Sequence, residues 1–591
     1  MNTKQTIGRA LIAAAEVDGL GVNFWHGPGK SQHVSYAELV CGANRLANRL
    51  LEAGLRPGER VAIVLPTGPD FYHAFFGISL AGGVPTALYP PARLGRMDEW
   101  KARTAAMLTA ARCVAVLTER RLQPLLGNPV HQAQPRMGCL NVAHLTKERT
   151  AQRLTCHNVN ELAAVQFSSG STGHPKPVML SHDNMLSNAA AILRTLPGEP
   201  NEHSGVSWLP LYHDMGLVGC LLSAIVAQGP LTLMGPEKFV ARPLRWLQAL
   251  SETKATVSVA PNFAFGLTAN KVSDEDLAGL DLSHWKVALC GAEPVHPKTL
   301  DQFAERFECV GFDRRALTPV YGLAEATLAV TFSPVGEAPK CQTFDREAME
   351  GTGRAVVRPD GRPIPSLGRP LEGMSVAIRD EAGNALDEGT IGHVHVQGPG
   401  VMLGYLDQQL ETARTLDPKG WLNTGDTGFL FNGELYLCGR AKDLIIINGR
   451  NHDPSLVEHA LEGVAGLRPG CVAAFAAEDP VNGTERLVVL AETSDAASVD
   501  REQLAYAATG QIQSRVGLRV SDFRLLPPGT LPRTSSGKIR RREARKQWLN
   551  DTLVPPKKAN VGLMIREMAQ GLYHHALNRR EKSSSVIGRL A

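Results

Sequence analysis

The chain has 591 residues, 43% of them hydrophobic and 20% charged, so two or more folding units of a globular protein are expected. Its formal net charge of +4 is too weak to mark a nucleic-acid binder, and residues 557–591 hold seven Lys/Arg against two Glu, leaving the rest slightly acidic. None of the ten cysteines forms a C-x-x-C pair, which excludes a zinc knuckle or thioredoxin-type motif and points to a reducing, cytoplasmic compartment.

Near the start, Lys4 and Arg9 precede a short apolar run closed by Glu16 and Asp18. The run is too short for a signal sequence and reads as an amphipathic helix. Strand-like runs at 61–64, 113–117, 163–167, 231–234, 256–260 and 287–290 alternate with helix-length segments. This pattern predicts α/β architecture with parallel sheets flanked by helices. Residues 215–236 lack any charge and are long enough to cross a bilayer. Gly229-Pro230 divides them, however, so a buried helix, a turn and a strand are expected and no transmembrane segment.

From about Ser375 the strands shorten and glycine-rich turns appear, as around Val394-His395-Val396 and Glu434-Leu435-Tyr436-Leu437, predicting a β-rich subdomain. A charged junction, Gly439-Arg440-Ala441-Lys442-Asp443, then leads into a compact α+β segment ending near Leu553. The expected units are residues 1–438, 439–553 and a basic tail, 554–591, entered through Pro555-Pro556. In the tail Val561, Met564, Ile565, Met568 and Leu572 share one helical face amid basic residues. Such a helix suits an acidic protein partner, peripheral contact with anionic lipid, or packing on the chain's own surface.

The strongest local signal is Ser168-Ser169-Gly170-Ser171-Thr172-Gly173-His174-Pro175-Lys176-Pro177, between an apolar strand and a helix expected near Ser181. Glycines let the backbone aim N–H groups at an anion, the hydroxyls add donors and Lys176 adds charge, so the loop suits a polyphosphate. It is not a P-loop; the nearest imitation, Gly29-Lys30-Ser31, has Phe24 where the first glycine belongs.

Further along stand Gly291-Ala292-Glu293-Pro294, Tyr321-Gly322-Leu323-Ala324-Glu325, Thr424-Gly425-Asp426, Arg440 with Lys442 and Asp443, and Pro532-Arg533-Thr534-Ser535-Ser536-Gly537-Lys538. In this order the motifs resemble the acyl-adenylating (AMP-binding) superfamily, which includes acyl-CoA ligases, nonribosomal adenylation domains, firefly-type luciferases and fatty acyl-AMP ligases. The resemblance implies a large N-terminal domain and a smaller, mobile C-terminal domain. It also implies a phosphate loop at Ser168, Ser169, Gly170, Ser171, Thr172, Gly173 and Lys176, and adenine contacts from Gly291, Ala292, Glu293, Pro294, Tyr321 and Gly322. Ribose would meet Asp426, Mg2+ would be held by Glu325 and Thr172, Arg440 and Lys442 would mark the swivel, and Lys538 would be the catalytic lysine. ATP and Mg2+ are the implied cofactors. Attack of a carboxylate on the α-phosphate brings two anions together, so cationic groups are needed where charge develops.

Two features resemble the fatty acyl-AMP ligase branch. One is Trp208-Leu209-Pro210-Leu211-Tyr212-His213-Asp214-Met215-Gly216-Leu217, in which His213 would lie near the carboxylate and phosphate. The other is the long interval after Glu325, with an insertion at about 336–366 that would hinder thioester formation with coenzyme A. The branch implies a fatty acid substrate and delivery to the phosphopantetheine arm of an acyl carrier, polyketide or nonribosomal synthase protein. The alternatives are a long-chain fatty acyl-CoA ligase, which shares the first half-reaction, and a catalytically silent nucleotide-binding regulator. Pro177 stands where relatives often have glycine, and Asn451-His452-Asp453-Pro454 lacks the aromatic that many branch members carry there.

Overall fold

The computed structural model describes residues 5–91, 94–146, 161–168, 175–447, 450–478, 485–494, 500–534 and 538–556. The six strand-like runs are all strands, and the early apolar run is the helix Ile7–Ala14. Two sheets carry most of the chain. The first has seven strands in the order Gly404–Tyr405, Lys176–Ser181, Leu162–Ser168, Val84–Ala87, Arg60–Val64, Cys113–Thr118 and Gly138–Asn141. Lys176–Ser181 runs antiparallel to both its neighbours, while the remaining pairings are parallel. That return strand was not foreseen, since Pro175 and Pro177 argue against a paired segment. The expected helix follows it as His182–Thr195, closed by reciprocal bonds between Ser181 and Asn184.

The second sheet has nine strands: Arg369–Pro370, Ala329–Phe332, Leu317–Gly322, Val287–Gly291, Val257–Pro261, Gly205–Ser207, Leu231–Leu233, Gly21–Gly27 and Lys30–Ser35. From Leu317–Gly322 to Gly21–Gly27 all neighbours are parallel. Their apolar runs are buried on both faces, as covered parallel sheets require. Lys30 and Ser31 lie in the antiparallel hairpin at the edge, beside Trp25 and Gly27, which places the P-loop imitation in a strand. The uncharged stretch folds as a π-helix, Met215–Leu222, an α-helical turn, Ser223–Ala227, and the strand Leu231–Leu233. Among the described residues no helix is long and apolar enough to cross a membrane.

After these sheets comes a four-stranded antiparallel sheet of Ser375–Arg379, Gly392–Gln397, Leu422–Phe431 and Glu434–Arg440. The segment expected as an insertion forms a hairpin, Cys341–Phe344 with Arg362–Pro365, around the helix Arg346–Thr352. Its Phe344, Met349 and Ile364 share a small core with Phe429 and Tyr436. The last unit has cores of its own, one around Ile445, Val457, Leu487 and Ile512, the other around Phe475, Leu531 and Trp548. The tail from Lys557 onward lies outside the described residues.

The hairpin's polar side faces this last unit. Arg346 donates to Val516 O at 2.8 Å, Arg362 pairs with Asp453 at 3.2 Å and Glu350 lies 3.4 Å from His452. Beside these contacts two histidine rings meet across the boundary, His296 against His459 with centroids 3.4 Å apart. Burial lowers both, to about 4 for His296 and about 2 for His459. Asp453 and Arg362 act on His296. Arg541, Arg362 and His296 act on His459, with Glu462 3.8 Å away. Both rings are therefore neutral in this contact but take up a proton near 6.5 once separated. The stabilisation is complete above about 6.5 and is lost as pH falls, through about 4 for His296 and on toward 2 for His459. Small-angle scattering should show the last unit loosening over that interval, and His459→Gln should flatten the transition.

Candidate active site

Parallel neighbours bring distant motifs together, because the loops leaving their C-terminal ends converge. Gly205–Ser207 leads into the Trp208 segment, Val257–Pro261 into Phe263, Val287–Gly291 into Glu293, and Leu317–Gly322 into Glu325. A cleft of about 390 Å³, its open mouth included, is lined by Trp208, His213, Met215, Pro261, Phe263, Ala292, Glu293 and Lys538, among others. The lining is mostly aromatic and aliphatic, with His213, Glu293 and Lys538 as its ionisable side chains.

The segment after Trp208 is set by close backbone packing. His213 N–H donates to Pro210 O at 3.1 Å, and a Cβ on Gly216 would stand 2.3 Å from that same oxygen. Only glycine fits there, and the π-helix starts at this tight corner. Asp214 caps the helix through Met215 N–H at 2.8 Å and holds His213 Nδ1 at 2.5 Å. This bond leaves the other ring nitrogen of His213 for the cleft. Burial opposes ionisation of Asp214, yet His213, Lys538 and the Met215 N–H together hold it below the usual carboxylate range.

Lys538 comes from the last unit, on a turn in which Thr534 N–H donates to Lys538 O at 2.7 Å and Lys538 N–H to Thr534 Oγ1 at 3.0 Å. Burial lowers the Lys538 ammonium, while the carboxylates of Glu293, Asp214 and Asp426 favour its charge and Arg440 opposes it. Glu293 is pushed up by burial although Phe263 N–H donates to it at 2.6 Å. The backbone beside it is strained, with Ala292 at φ 68° and no room for a Cβ on Gly291, which would meet Val320 at 2.7 Å. Pro294 is exposed at the rim.

A second group gathers at Asp426. Tyr321 donates its hydroxyl to Oδ2 at 2.6 Å, and Arg440 Nε meets Oδ1 at 3.0 Å. Burial and the Asp426 carboxylate raise Tyr321, so its phenol remains a donor. Gly322 has no space for a side chain, since a Cβ would sit 1.8 Å from Leu328 O. A third group surrounds Glu325, whose Oε1 accepts from Ser168 at 2.8 Å and from Tyr405 at 3.1 Å. Ser168 stands in register with Lys176 across the strand pair, so Glu325 lies beside the strand end that carries Ser168. Ser169, Gly170, Ser171, Thr172 and Gly173 lie outside the described residues.

Lys176 and Lys442 are not among the residues lining the cleft. Lys176 is paired with Glu411 and lies 4.8 Å from the centre of the Tyr405 ring, so its charge is already countered. Lys442 is exposed on the turn Ala441–Asp443, away from the cleft lining. Asp214, Tyr405 and Glu411 had no assigned part. Asp214 was signalled by its place beside His213. Tyr405 and Glu411 arrive through Gly404–Tyr405, which pairs with Val178 and Met179, and no local motif marks them.

The long-chain-fatty-acid–AMP ligase FadD26 of Mycobacterium marinum is 34% identical over 551 residues, 88% of this chain and 92% of that protein. A structure from work on fatty acyl-adenylate ligases of E. coli and L. pneumophila superposes with a TM-score of 0.85, at 35% identity over 93% of this chain and 98% of that one. A fatty acyl-adenylate ligase from L. pneumophila, in complex with acyl adenylate and pyrophosphate, gives 0.69 at 30% identity, over 94% and 97%. Residues 13–406 match the AMP-binding enzyme family, and with its fold, its cleft and these relatives the chain belongs to that family.

Proposed function

We propose that the protein joins a long-chain fatty acid to AMP at the expense of ATP, then passes the acyl group to a phosphopantetheine thiol. The observation that carries this reading is one cleft lined both by Lys538, His213 and Glu293 and by the apolar Trp208, Met215 and Phe263. An acid with a long apolar tail needs both kinds of lining, each buried methylene contributing about 0.8 kcal/mol. In the first step a carboxylate oxygen bonds to the α-phosphorus while the bond to the β-phosphate oxygen breaks, releasing pyrophosphate. The Lys538 ammonium neutralises charge between the two anions, and Asp214 orients the His213 ring beside it.

Asp426 would accept the ribose hydroxyls, with Tyr321 and Arg440 fixing its two oxygens, and Gly291, Ala292 and Pro294 would border the adenine. The Glu325 carboxylate, oriented by Ser168 and Tyr405, fits a magnesium ion, which takes one or two carboxylates plus substrate phosphates. Thr172 would be a further ligand. When bound, the ion neutralises phosphate charge. The hairpin inserted at 341–365 ties the β-rich region to the last unit through Arg346, Glu350 and Arg362. Such tethering supports a carrier or synthase protein over free coenzyme A as the acceptor.

Exchange of pyrophosphate into ATP should depend on added fatty acid. Lys538→Ala should lower it roughly 10²–10³-fold while ATP binding persists; undiminished exchange in the mutant would sink the role of Lys538. Given purified acyl-adenylate, the enzyme should acylate a holo carrier protein faster than coenzyme A, and equal rates would restore the acyl-CoA ligase reading. Lys442→Ala should slow this transfer more than the exchange, because Lys442 sits on the turn joining the two units.

A further inference from the structure

The catalytic turn is gripped by the N-terminal domain at a place no motif marks. The helix Met97–Ala110 begins after a short 3-10 turn that ends at Arg96. Arg96 donates to Gly529 O at 2.8 Å and to Thr530 O at 2.9 Å, on the strand of chain entering the Lys538 turn. Glu99 accepts from Arg540 at 3.4 Å, on the strand of chain leaving it, and also meets Arg96 at 3.2 Å and Arg103 at 4.0 Å. The two sides of the turn are themselves joined, as Arg540 N–H donates to Pro532 O at 2.9 Å. Arg540 is only 10% exposed, and the guanidinium of Arg103 acts against its charge. Glu99 thus meets three arginines from both units, and Arg540 also meets Glu543 at 3.7 Å.

We infer that Arg96 and Glu99 are positioning residues that clasp the base of the catalytic turn and so set Lys538 in the cleft for adenylate formation. The inference rests on the adenylation reading above. All the contacts are hydrogen bonds and ion pairs that water can replace, so the clasp can hold the turn for the first step and release it for the second. An apolar seal of similar extent would hold but not release.

The test separates the two half-reactions in the full-length enzyme. Arg96→Ala and Glu99→Gln should each lower kcat for fatty-acid-dependent pyrophosphate exchange, on the order of tenfold for one lost charged hydrogen bond. The KM for ATP and for the acid should stay near the parent values, and acyl transfer from supplied acyl-adenylate should be undiminished. Arg96→Lys should recover part of the loss. Glu99→Gln combined with Arg540→Gln should be less than additive, as for groups in direct contact. Undiminished exchange in both single variants would overturn the clasp. So would a parallel fall of both half-reactions with the thermal midpoint, since that marks a merely structural role. Amide hydrogen exchange on peptides covering Leu531, Thr534, Lys538 and Arg540 reads the clasp without activity: protection should drop in the Arg96 and Glu99 variants. If the parent enzyme shows no acid-dependent exchange, the adenylation reading fails, and amide protection unchanged by the substitutions would independently remove the clasp.

Discussion

A lysine ammonium placed in a partly desolvated cleft must find compensating negative charge, and the arrangement around Lys538 is organised by that need. Glu293, Asp214 and Asp426 act on it from three different elements, and Arg440 opposes them. Burial weakens the ammonium while the carboxylates sustain it, so its charge is strong but incompletely satisfied. A substrate carboxylate and a phosphate can therefore compete for it. The parallel order of the second sheet is what brings Asp214 and Glu293 to the same rim, although about eighty residues of chain separate them.

The same rim shows where local conformation yields to the site. Ala292 and Thr327 adopt left-handed backbone at φ 68° and 67°, flanking Glu293 and Glu325. Neither is glycine, so surrounding packing has to hold them there. The close approaches at Gly216, Gly291 and Gly322 have the opposite origin: a side chain would meet backbone or a packed valine. Local strain and local absence of bulk thus serve one end, carrying His213 and Glu293 to the cleft and Glu325 to Ser168 and Tyr405 on short connections.

Much of this was legible in the sequence because apolar runs and their punctuation depend on local pattern. The six strand runs, the split at Gly229-Pro230 and the change to short strands near Ser375 all have structural counterparts. The π-helical form of residues 215–222 was not legible, since its apolar pattern also fits an α-helix; it follows from the packing of Gly216 on Pro210. The strand Lys176–Ser181 was hidden by its prolines and is stabilised by neighbours far away in sequence. Contacts of that type also account for Tyr405, Glu411, Arg96 and Glu99. An ordinary glutamate at the first turn of a helix becomes informative only when Arg540, 441 residues later, arrives beside it.

Much of the joint between the large and small units is charged. Arg346, Glu350, Arg362 and Asp453 form one group of contacts across it, and Arg96, Glu99 and Arg540 form another. Such a seam responds to its ionic surroundings in a way that an oily one would not. At about 0.15 M salt the Debye length is roughly 8 Å, longer than these pairs, so they persist, with the more exposed ones weakened first as electrolyte rises. Electrolyte concentration thus acts on the strength of this seam without any ligand, leaving each hydrophobic core undisturbed.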